Sequence, residues 1–402
     1  MLRHRGRAVF AAGLVLLCGC SSAPTGMSAG GDEPPAPVAW KFETVSWYNR
    51  YSMNSTIGPL VVGQTVLYGG TYGYQNTTAS KLAALDGTTG TARWRMDYAA
   101  AFGPMALQGG TIAVGAGDSV LGLEFASGAQ RWAVPIQPRS LTAAGDVLLV
   151  AERQTIHAID PVSGSRRWQV RSTSDPVAAG DAAFFMDGRT LRAVAAGSGA
   201  ERWSLELPAV LAYPQSLLGD HLYLLGATSL GSVNVKSRSL EWVVPLGSAP
   251  TAGIASADDT LYFTTQSPLG SYVFHAFDPA TQKDRWSRAL DSGSRVAPVV
   301  MGSLVATAAN GSAESLVALS RGTGVVAWSA RAGSVPVQPV LKGNVLYVAG
   351  QGPNRVYAFE TSTGAVLWSG RLWGWPMGMA LTEDGTLLVS ADNLTLYAYR
   401  TN

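Results

Sequence analysis

The chain finishes one segment after another as it does at Leu85-Asp86-Gly87-Thr88-Thr89-Gly90-Thr91-Ala92-Arg93-Trp94. A short apolar run is followed by a turn that contains glycine or a polar residue, and then by a tryptophan. Eight segments end in this way, at Trp94, Trp132, Trp168, Trp203, Trp242, Trp286, Trp328 and Trp368. The intervals run from 35 residues (Trp168 to Trp203) to 44 residues (Trp242 to Trp286). A period of about 40 residues is typical of four-stranded propeller blades.

Each ending predicts the last hairpin of an antiparallel unit, because the glycine can take a positive φ and close a type I turn with a bulge. Two further strand signals lie upstream, as at Gly343–Gly350 and Asn354–Phe359, which are rich in β-branched and aromatic residues. No helical period of comparable length appears. The sequence therefore predicts an all-β fold whose unit is four short antiparallel strands, with the tryptophan on the outermost one.

Such a sheet cannot bury both faces alone, and radial stacking on its neighbours would leave only short, protected edges. Burying roughly 150–250 Å² of an indole at about 25 cal/mol/Å² contributes at most about 4–6 kcal/mol per ring. We therefore expect one β-propeller over residues 38–402, in which Trp40 and the eight repeat tryptophans fasten the blades.

The two ends of the chain predict a closed ring. After Trp368 come two inner strands, Thr386–Ser390 and Leu394–Tyr399, but no further tail tryptophan. Val38-Ala39-Trp40-Lys41-Phe42 has the character of a tail strand with no blade before it. The first strand is therefore expected to complete the last blade.

The number of blades stays open at eight or nine. Eight tails and the composite unit make nine, whereas propellers of this repeat type commonly have eight. The unit between Trp203 and Trp242 is the weakest, because Lys236-Ser237-Arg238-Ser239-Leu240 replaces the acidic and glycine-containing turn.

The first residues predict export and a lipid anchor. Arg3, Arg5 and Arg7 precede an apolar run from Ala8 to Leu17, which is shorter than the about 20 residues that span a bilayer. The following Leu17-Cys18-Gly19-Cys20 resembles the lipobox of bacterial lipoproteins, in which the matching cysteine, Cys20, is lipidated. We expect a signal peptide over residues 1–19, lasting attachment through several acyl chains, and a flexible Ser/Gly/Pro-rich tether over residues 20–37.

Composition excludes several kinds of function. Both cysteines, Cys18 and Cys20, precede the propeller, so the folded part has no disulfide, thiolate nucleophile or cysteine metal site. Removing the three leader arginines from the formal charge of +2 leaves about −1, and charged residues make up only 14% of the chain. The sequence has no cluster of basic residues of the kind that binds the phosphates of nucleic acid, so we exclude nucleic-acid binding.

Histidines and aspartates are the remaining candidates for chemistry. His157 and His275 occupy one repeat position that unlike residues fill in other blades, so we interpret them as structural. Asp86, Asp160 and Asp278 lie one to a blade on turns, without the alternating pattern of a calcium loop, which favours turn capping. We expect no catalytic residue, no metal and no cofactor.

The repeat unit, with its small or aromatic residue, Ala, apolar residue, Asp, Thr/Ser-Gly and Trp, resembles the quinoprotein-type (PQQ-like) repeat. That repeat occurs in pyrroloquinoline quinone dehydrogenases and in BamB-type outer-membrane assembly lipoproteins, and the resemblance covers essentially residues 38–402. The dehydrogenases are longer and carry an adjacent-cysteine disulfide that this chain cannot form. The likeness to the BamB type implies a non-enzymatic scaffold on the barrel-insertion machinery, with a surface for BamA.

Five aromatic residues lie outside the repeat. Trp47, Tyr48 and Tyr51 precede the first inner strand, Trp373 and Trp375 precede the last, and those two blades are adjacent in a closed ring. Connectors from an outer to an inner strand share one face, so the five should gather in one sector. Two interpretations stay open: they are buried as a plug of the closure seam, or they form an exposed patch that anchors a peptide strand, glycan or partner protein.

Three functions follow from these observations. The first is a lipid-anchored, BamB-like assembly scaffold with an envelope protein as partner. The second is an envelope propeller that binds or senses a glycan or peptide, and the third is a quinone-dependent dehydrogenase. The expected location is the periplasmic face of the outer membrane in a Gram-negative cell, or the outer face of the cell membrane in a Gram-positive one.

Overall fold

The structure, a computed structural model, describes residues 34–44, 52–74, 77–294, 296–308 and 315–401. All of the regular secondary structure in these ranges is β-strand, as the alternation of short β-branched and aromatic runs with glycine-containing turns predicts. The strands form nine antiparallel sheets, which we number as blades 1–9 along the chain. The open choice between eight and nine blades is therefore settled at nine.

The strands of the nine blades have the following bounds. Blades 1 and 2 contain β2 (Ser52–Val62), β3 (Thr65–Tyr74), β4 (Thr77–Asp86) and β5 (Ala92–Tyr98), then β6 (Phe102–Gln108), β7 (Thr111–Ala116), β8 (Ser119–Glu124) and β9 (Gln130–Val134). Blades 3 and 4 contain β10 (Ser140–Ala144), β11 (Val147–Glu152), β12 (Thr155–Ile159) and β13 (Arg166–Arg171), then β14 (Val177–Ala179), β15 (Ala182–Asp187), β16 (Thr190–Ala195) and β17 (Glu201–Glu206). Blades 5 and 6 contain β18 (Tyr213–Leu218), β19 (His221–Leu225), β20 (Ser229–Asn234) and β21 (Ser239–Pro245), then β22 (Ala249–Pro250), β23 (Ala255–Ala257), β24 (Thr260–Gln266), β25 (Tyr272–Asp278) and β26 (Lys283–Leu290).

The remaining blades complete the ring. Blades 7 and 8 contain β27 (Val299–Met301), β28 (Leu304–Ala308), β29 (Leu316–Ser320) and β30 (Val326–Ala330), then β31 (Val340–Lys342), β32 (Val345–Gly350), β33 (Arg355–Glu360) and β34 (Val366–Arg371). Blade 9 contains β35 (Pro376–Leu381), β36 (Leu387–Ala391), β37 (Thr395–Tyr399) and, as its outermost strand, β1 (Val38–Glu43).

The predicted closure by the N-terminal strand is confirmed. β1 pairs antiparallel with β37, with Lys41 opposite Tyr397, and the Arg400 N–H donates to the Pro37 carbonyl at 2.8 Å. A single sheet thus joins the two ends of the described chain.

The core lies between the blades. Nine clusters of buried apolar residues each join two neighbouring blades, as where Leu67 of blade 1 packs with Ile112 of blade 2. The cluster of Tyr68, Leu85, Leu388 and Leu396 joins blade 1 to blade 9 and seals the ring. Each sheet therefore buries both faces only because it has a neighbour on each side.

The repeat tryptophans lie on the outermost strands, each opposite a small residue, as where Trp94 pairs with Ala84. Six rings donate their Nε1–H at 2.7–3.0 Å to a carbonyl in the turn between the third and fourth strands of the following blade: Trp40 to Gly87, Trp94 to Phe125, Trp132 to Pro161, Trp168 to Ala196, Trp286 to Arg321 and Trp328 to Thr361. The same rings pack on a positive-φ glycine of that turn: Gly90, Gly128, Gly164, Gly199, Gly324 or Gly364. We call this pairing the indole lock.

Blade 5, which the sequence marks as the weakest unit, is a complete four-stranded sheet. Asn234 replaces the acidic residue of its turn, and its Oδ1 accepts hydrogen bonds from the N–H groups of Lys236 and Ser237, both at 3.0 Å. Arg238 takes the place of the glycine at φ 59°. The turn keeps its geometry with different side chains, so the blade forms.

The described part of the chain begins at Pro34, within the predicted tether. Pro35 forms a parallel bridge to Ser369 on β34, and the Ala36 N–H donates to the Ser369 carbonyl at 3.0 Å. Ala36 also packs with the cluster that joins blades 8 and 9. Residues 34–37 therefore form a strap along the outer edge of blade 8, because this edge strand offers free backbone groups to an extended neighbour. The rest of the predicted tether, the signal peptide and Cys20 lie outside the described residues.

Candidate interaction surface

The two histidines singled out by sequence are bonded within their own blades. His157 is buried, and its Nε2 lies 3.3 Å from Glu152 Oε2, while burial lowers its pKa. His275 Nδ1 lies 2.9 Å from Asp284 Oδ2, and its Nε2 lies 2.9 Å from Thr265 Oγ1. Across the described ranges, no three His, Cys, Asp or Glu side chains converge in a way that could hold a metal ion.

The three aspartates cap turns. Asp160 Oδ1 accepts hydrogen bonds from the N–H groups of Val162 and Ser163 at 3.0 and 2.9 Å, and Oδ2 accepts one from Arg167 at 2.6 Å. The hydrogen bond from Arg167, followed by those from the backbone, lowers the Asp160 pKa to about 2. Asp86 and Asp278 accept the same pair of backbone bonds in blades 1 and 6.

The connector between β34 and β35 carries the two predicted binding tryptophans on a fixed backbone. The Trp373 N–H donates to Tyr397 Oη at 3.0 Å, and the Trp375 N–H donates to Asp392 Oδ1 at 2.7 Å. The Asp392 N–H returns a bond to the Trp375 carbonyl at 2.9 Å. Between them, Gly374 leaves no room for a Cβ, which would lie 2.3 Å from Asp392 Oδ1. The segments that contain Tyr397 and Asp392 therefore hold this loop in one conformation.

The two indole rings project from this loop into solvent. Trp373 is 55% exposed and Trp375 is 54% exposed, whereas every repeat tryptophan is buried or half-buried. The Arg371 guanidinium stacks on the Trp373 ring at 4.2 Å, and Met377 on β35 is 42% exposed beside them. These two rings are therefore not buried as a plug of the closure seam. Their exposure is what the other interpretation, an exposed binding patch, requires. Trp47, Tyr48 and Tyr51, the other predicted members of the patch, lie outside the described residues.

Sequence reasoning missed Arg371 and Met377, although both lie within two residues of a predicted tryptophan. It also missed three apolar side chains on the same face of the propeller, which holds the connectors between blades and the turns between second and third strands. They are Val210, Tyr213 and Leu269, with exposures of 54%, 58% and 95%. No local signal distinguishes an exposed loop valine or leucine from a buried one, so only the fold identifies them.

None of the described segments is a helix with the length and hydropathy needed to cross a bilayer.

Comparisons with known proteins agree with this architecture. BamB from Moraxella catarrhalis has a similar solved structure, with 13% sequence identity, a TM-score of 0.54, and coverage of 87% of this chain and 98% of that one. The computationally designed Ika8 protein has 12% identity, a TM-score of 0.53, and coverage of 75% and 96%. Dihydro-heme d1 dehydrogenase NirN in complex with DHE has 13% identity, a TM-score of 0.56, and coverage of 85% and 81%.

At these identities the structural likeness shows the fold alone, since the three similar structures are a BamB, a designed protein and a dehydrogenase. No curated protein sequence matches the chain. The profile of a protein family described as "Outer membrane protein assembly factor BamB" does match, over residues 39–212, 226–342 and 331–402. The nine-bladed ring, the indole repeat and this match along the propeller lead to one conclusion: the chain belongs to the BamB family of PQQ-like repeat β-propellers.

Proposed function

We propose that the chain is a non-enzymatic scaffold of the bacterial envelope, which docks a protein partner during the assembly of outer-membrane proteins. One observation carries the proposal: Trp373 and Trp375 are more than half exposed on a loop whose backbone is held by Tyr397 and Asp392. Tryptophan dominates the energetics of protein interfaces, and a rigid loop loses little conformational entropy on binding. The matching family is described as an outer-membrane protein assembly factor. In a cell with an outer membrane, we therefore expect the partner to be the barrel-assembly machinery.

In this proposal the protein is held at the membrane by lipid on Cys20 after removal of residues 1–19. The chain from Cys20 to Glu33 then connects the lipid to the strap at Pro34–Pro37. It would reside on the periplasmic face of the outer membrane, or on the outer face of the cell membrane where no outer membrane exists. The two cysteines precede the propeller, so the disulfide of the quinone dehydrogenases has no counterpart, and this favours a scaffold over an enzyme.

Replacement of both exposed rings tests the proposal. After crosslinking in the native cell, the wild-type chain should recover barrel-assembly components, and Trp373→Ala/Trp375→Ala should lose them by about thirtyfold or more, because hot-spot residues contribute at least about 2 kcal/mol. The melting temperature should stay nearly unchanged, because neither ring is part of a core cluster.

Val162→Ala/Val325→Ala is the matched control. These residues are 62% and 61% exposed on turns between third and fourth strands, at the opposite face of the ring, and the double variant should retain the partner. Two results would refute the proposal: recovery that survives loss of both indoles, or capture of a glycan or an envelope ligand with no assembly component.

A further inference from the structure

The boundary between blades 5 and 6 departs from the repeat in two places that face each other. Gln282 stands in the glycine position of the blade 6 turn at φ 58°, and Trp242 of blade 5 donates no Nε1–H bond within the described ranges. The residue before the repeat tryptophan is arginine in blades 1–4 and 6, at Arg93, Arg131, Arg167, Arg202 and Arg285, but it is Glu241 in blade 5. Within the part of the chain that the structure describes, the indole lock is also absent between blades 4 and 5, where Arg238 stands in the glycine position and Trp203 is not among the six donors. What sets the boundary between blades 5 and 6 apart is the acidic residue before its tryptophan, which no other blade has.

A cleft opens at this boundary. Its volume is about 580 Å³, within the range of about 300–1,000 Å³ that ligand sites occupy. Its lining includes Tyr223, Glu241 and Trp242 of blade 5 and Asp258, Asp259 and Arg285 of blade 6. The Trp242 ring lies 6.1 Å from Tyr223 and 5.6 Å from Phe277, centroid to centroid, so aromatic side chains form one wall.

Two polar groups of the cleft have no partner within the described part of the chain. Tyr223 is only 5% exposed as a residue and its hydroxyl makes no hydrogen bond there, but the hydroxyl itself is not sealed off from the cleft. It can therefore bond to a group that enters the cleft. The Asp259 carboxylate also makes no ion pair or side-chain hydrogen bond in those ranges, and it is held at the rim by a turn in which Asp258 and Asp259 have φ 45° and 56°.

The other acids of the cleft already have partners. Glu241 accepts from His221 and Ser232 at 2.7 Å each, Asp258 pairs with Arg321 at 2.5 Å, and Asp278 lies 3.3 Å from Arg285. Four carboxylates therefore face two guanidinium groups and one imidazole, so acidic groups outnumber basic ones. Burial, and then the charges of Glu241 and Asp259, raise the pKa of Tyr223.

We propose that this cleft binds the guanidinium group of an arginine side chain that projects from a partner protein. The planar cation stacks on Trp242 and donates hydrogen bonds to Tyr223 Oη and to the Asp259 carboxylate. Arginine fits better than lysine because its flat fork suits an aromatic wall beside a carboxylate. The inference does not depend on the assembly role, and the cleft lies at the face of the ring opposite Trp373 and Trp375.

The test uses the full chain in detergent micelles with fluorinated tryptophan, read by fluorine NMR, with Trp242→Phe to assign the resonance. N-acetylarginine amide at millimolar concentration should shift the Trp242 signal and leave the other repeat tryptophans in place. The neutral isostere N-acetylcitrulline amide should not. Asp259→Asn and Tyr223→Phe should each weaken binding by about tenfold, as the loss of one charge-assisted hydrogen bond implies.

Glu206→Gln, which removes an exposed carboxylate of blade 4, is the control and should bind as the wild type does. The inference is overturned if the Trp242 signal does not respond to the arginine amide or responds equally to the citrulline amide. Unchanged affinity in Asp259→Asn would also overturn it. If Trp242→Phe does not fold, Asp259→Asn and Tyr223→Phe still decide the question. Each variant keeps Trp242, and each should weaken the tryptophan shift that the arginine amide causes in the wild type.

Discussion

At the scale of single residues, the structure depends on a contact between an indole and a glycine that lie in different blades. The Trp132 ring covers Gly164, whose φ is 72°, and a Cβ there would lie 2.6 Å from Trp132 Cγ. The glycine is needed both for its left-handed backbone and for the space above it. The tryptophan spacing is visible in the sequence, but its partner is not, because the two residues meet only after the blades stack.

Gly164→Ala should therefore destabilise the protein more than the same change at a glycine with open space above it. Gly180 is the matched control, since its φ is 57° and no atom lies within 4 Å of the position that an alanine Cβ would take. Gly180→Ala should cost about 1–2 kcal/mol through backbone strain alone, and Gly164→Ala should cost a further amount of about 1–3 kcal/mol through displacement of the ring. Urea unfolding midpoints measure both. Equal losses would show that the indole lock contributes nothing.

At the scale of strands, β1 is the element that makes the sheet of blade 9 complete. Phe42 is 6% exposed, and Trp40 donates its Nε1–H to Gly87 in blade 1 at 3.0 Å, so the strand joins two blades as well as covering β37. Without β1, the edge of β37 would present unpaired backbone groups over buried Tyr397 and Tyr399, which favours association with other chains.

Two truncated chains separate the role of β1 from that of the residues before the strap. A chain that begins at Pro34 should melt near the full-length temperature and remain monomeric. A chain that begins at Thr44 should melt well below it and form dimers or larger species, because it loses the strap, a strand, an indole lock and the buried Phe42 side chain. Melting curves and light scattering measure the two properties. A monomeric Thr44 chain with an unchanged melting temperature would contradict the closure that the structure shows.

The strands and their order could be predicted from the sequence, because each tail contains its own turn residues. The blade number could not be fixed, since Asn234 and Arg238 replace the acidic residue and the glycine while keeping the turn. An asparagine in place of aspartate is a modest change, but an arginine at φ 59° is disfavoured and has no local signal. The strap at residues 34–37 could not be predicted for another reason. Its prolines and alanines have the composition of a linker, and they form a strap only by pairing with the edge strand β34.

At the scale of the whole molecule, the core lies in nine interfaces between blades, and Trp373 and Trp375 belong to none of them. The adjacency of the first and last blades follows from closure alone. The gathering of Trp373 and Trp375 with Trp47, Tyr48 and Tyr51 stays a prediction, because those three lie outside the described residues. The exposure of the two rings could not be predicted from sequence. It depends on hydrogen bonds from the backbone N–H groups of the loop to Tyr397 and Asp392, and these form only in the folded ring. The cleft at Trp242 was equally hidden, because Tyr223 and Asp259 come from two blades and meet only in the ring.

Photo-crosslinking in the native cell tests docking through the face that carries Trp373 and Trp375 most directly. A benzophenone amino acid in place of Met377 keeps both indoles intact and lies beside them, and one in place of Val325 probes the opposite face with similar access. We expect the chain labelled at position 377 to form an adduct with a component of the barrel-assembly machinery, and the chain labelled at position 325 to form none. No adduct from position 377, or the same adduct from both positions, would contradict the account.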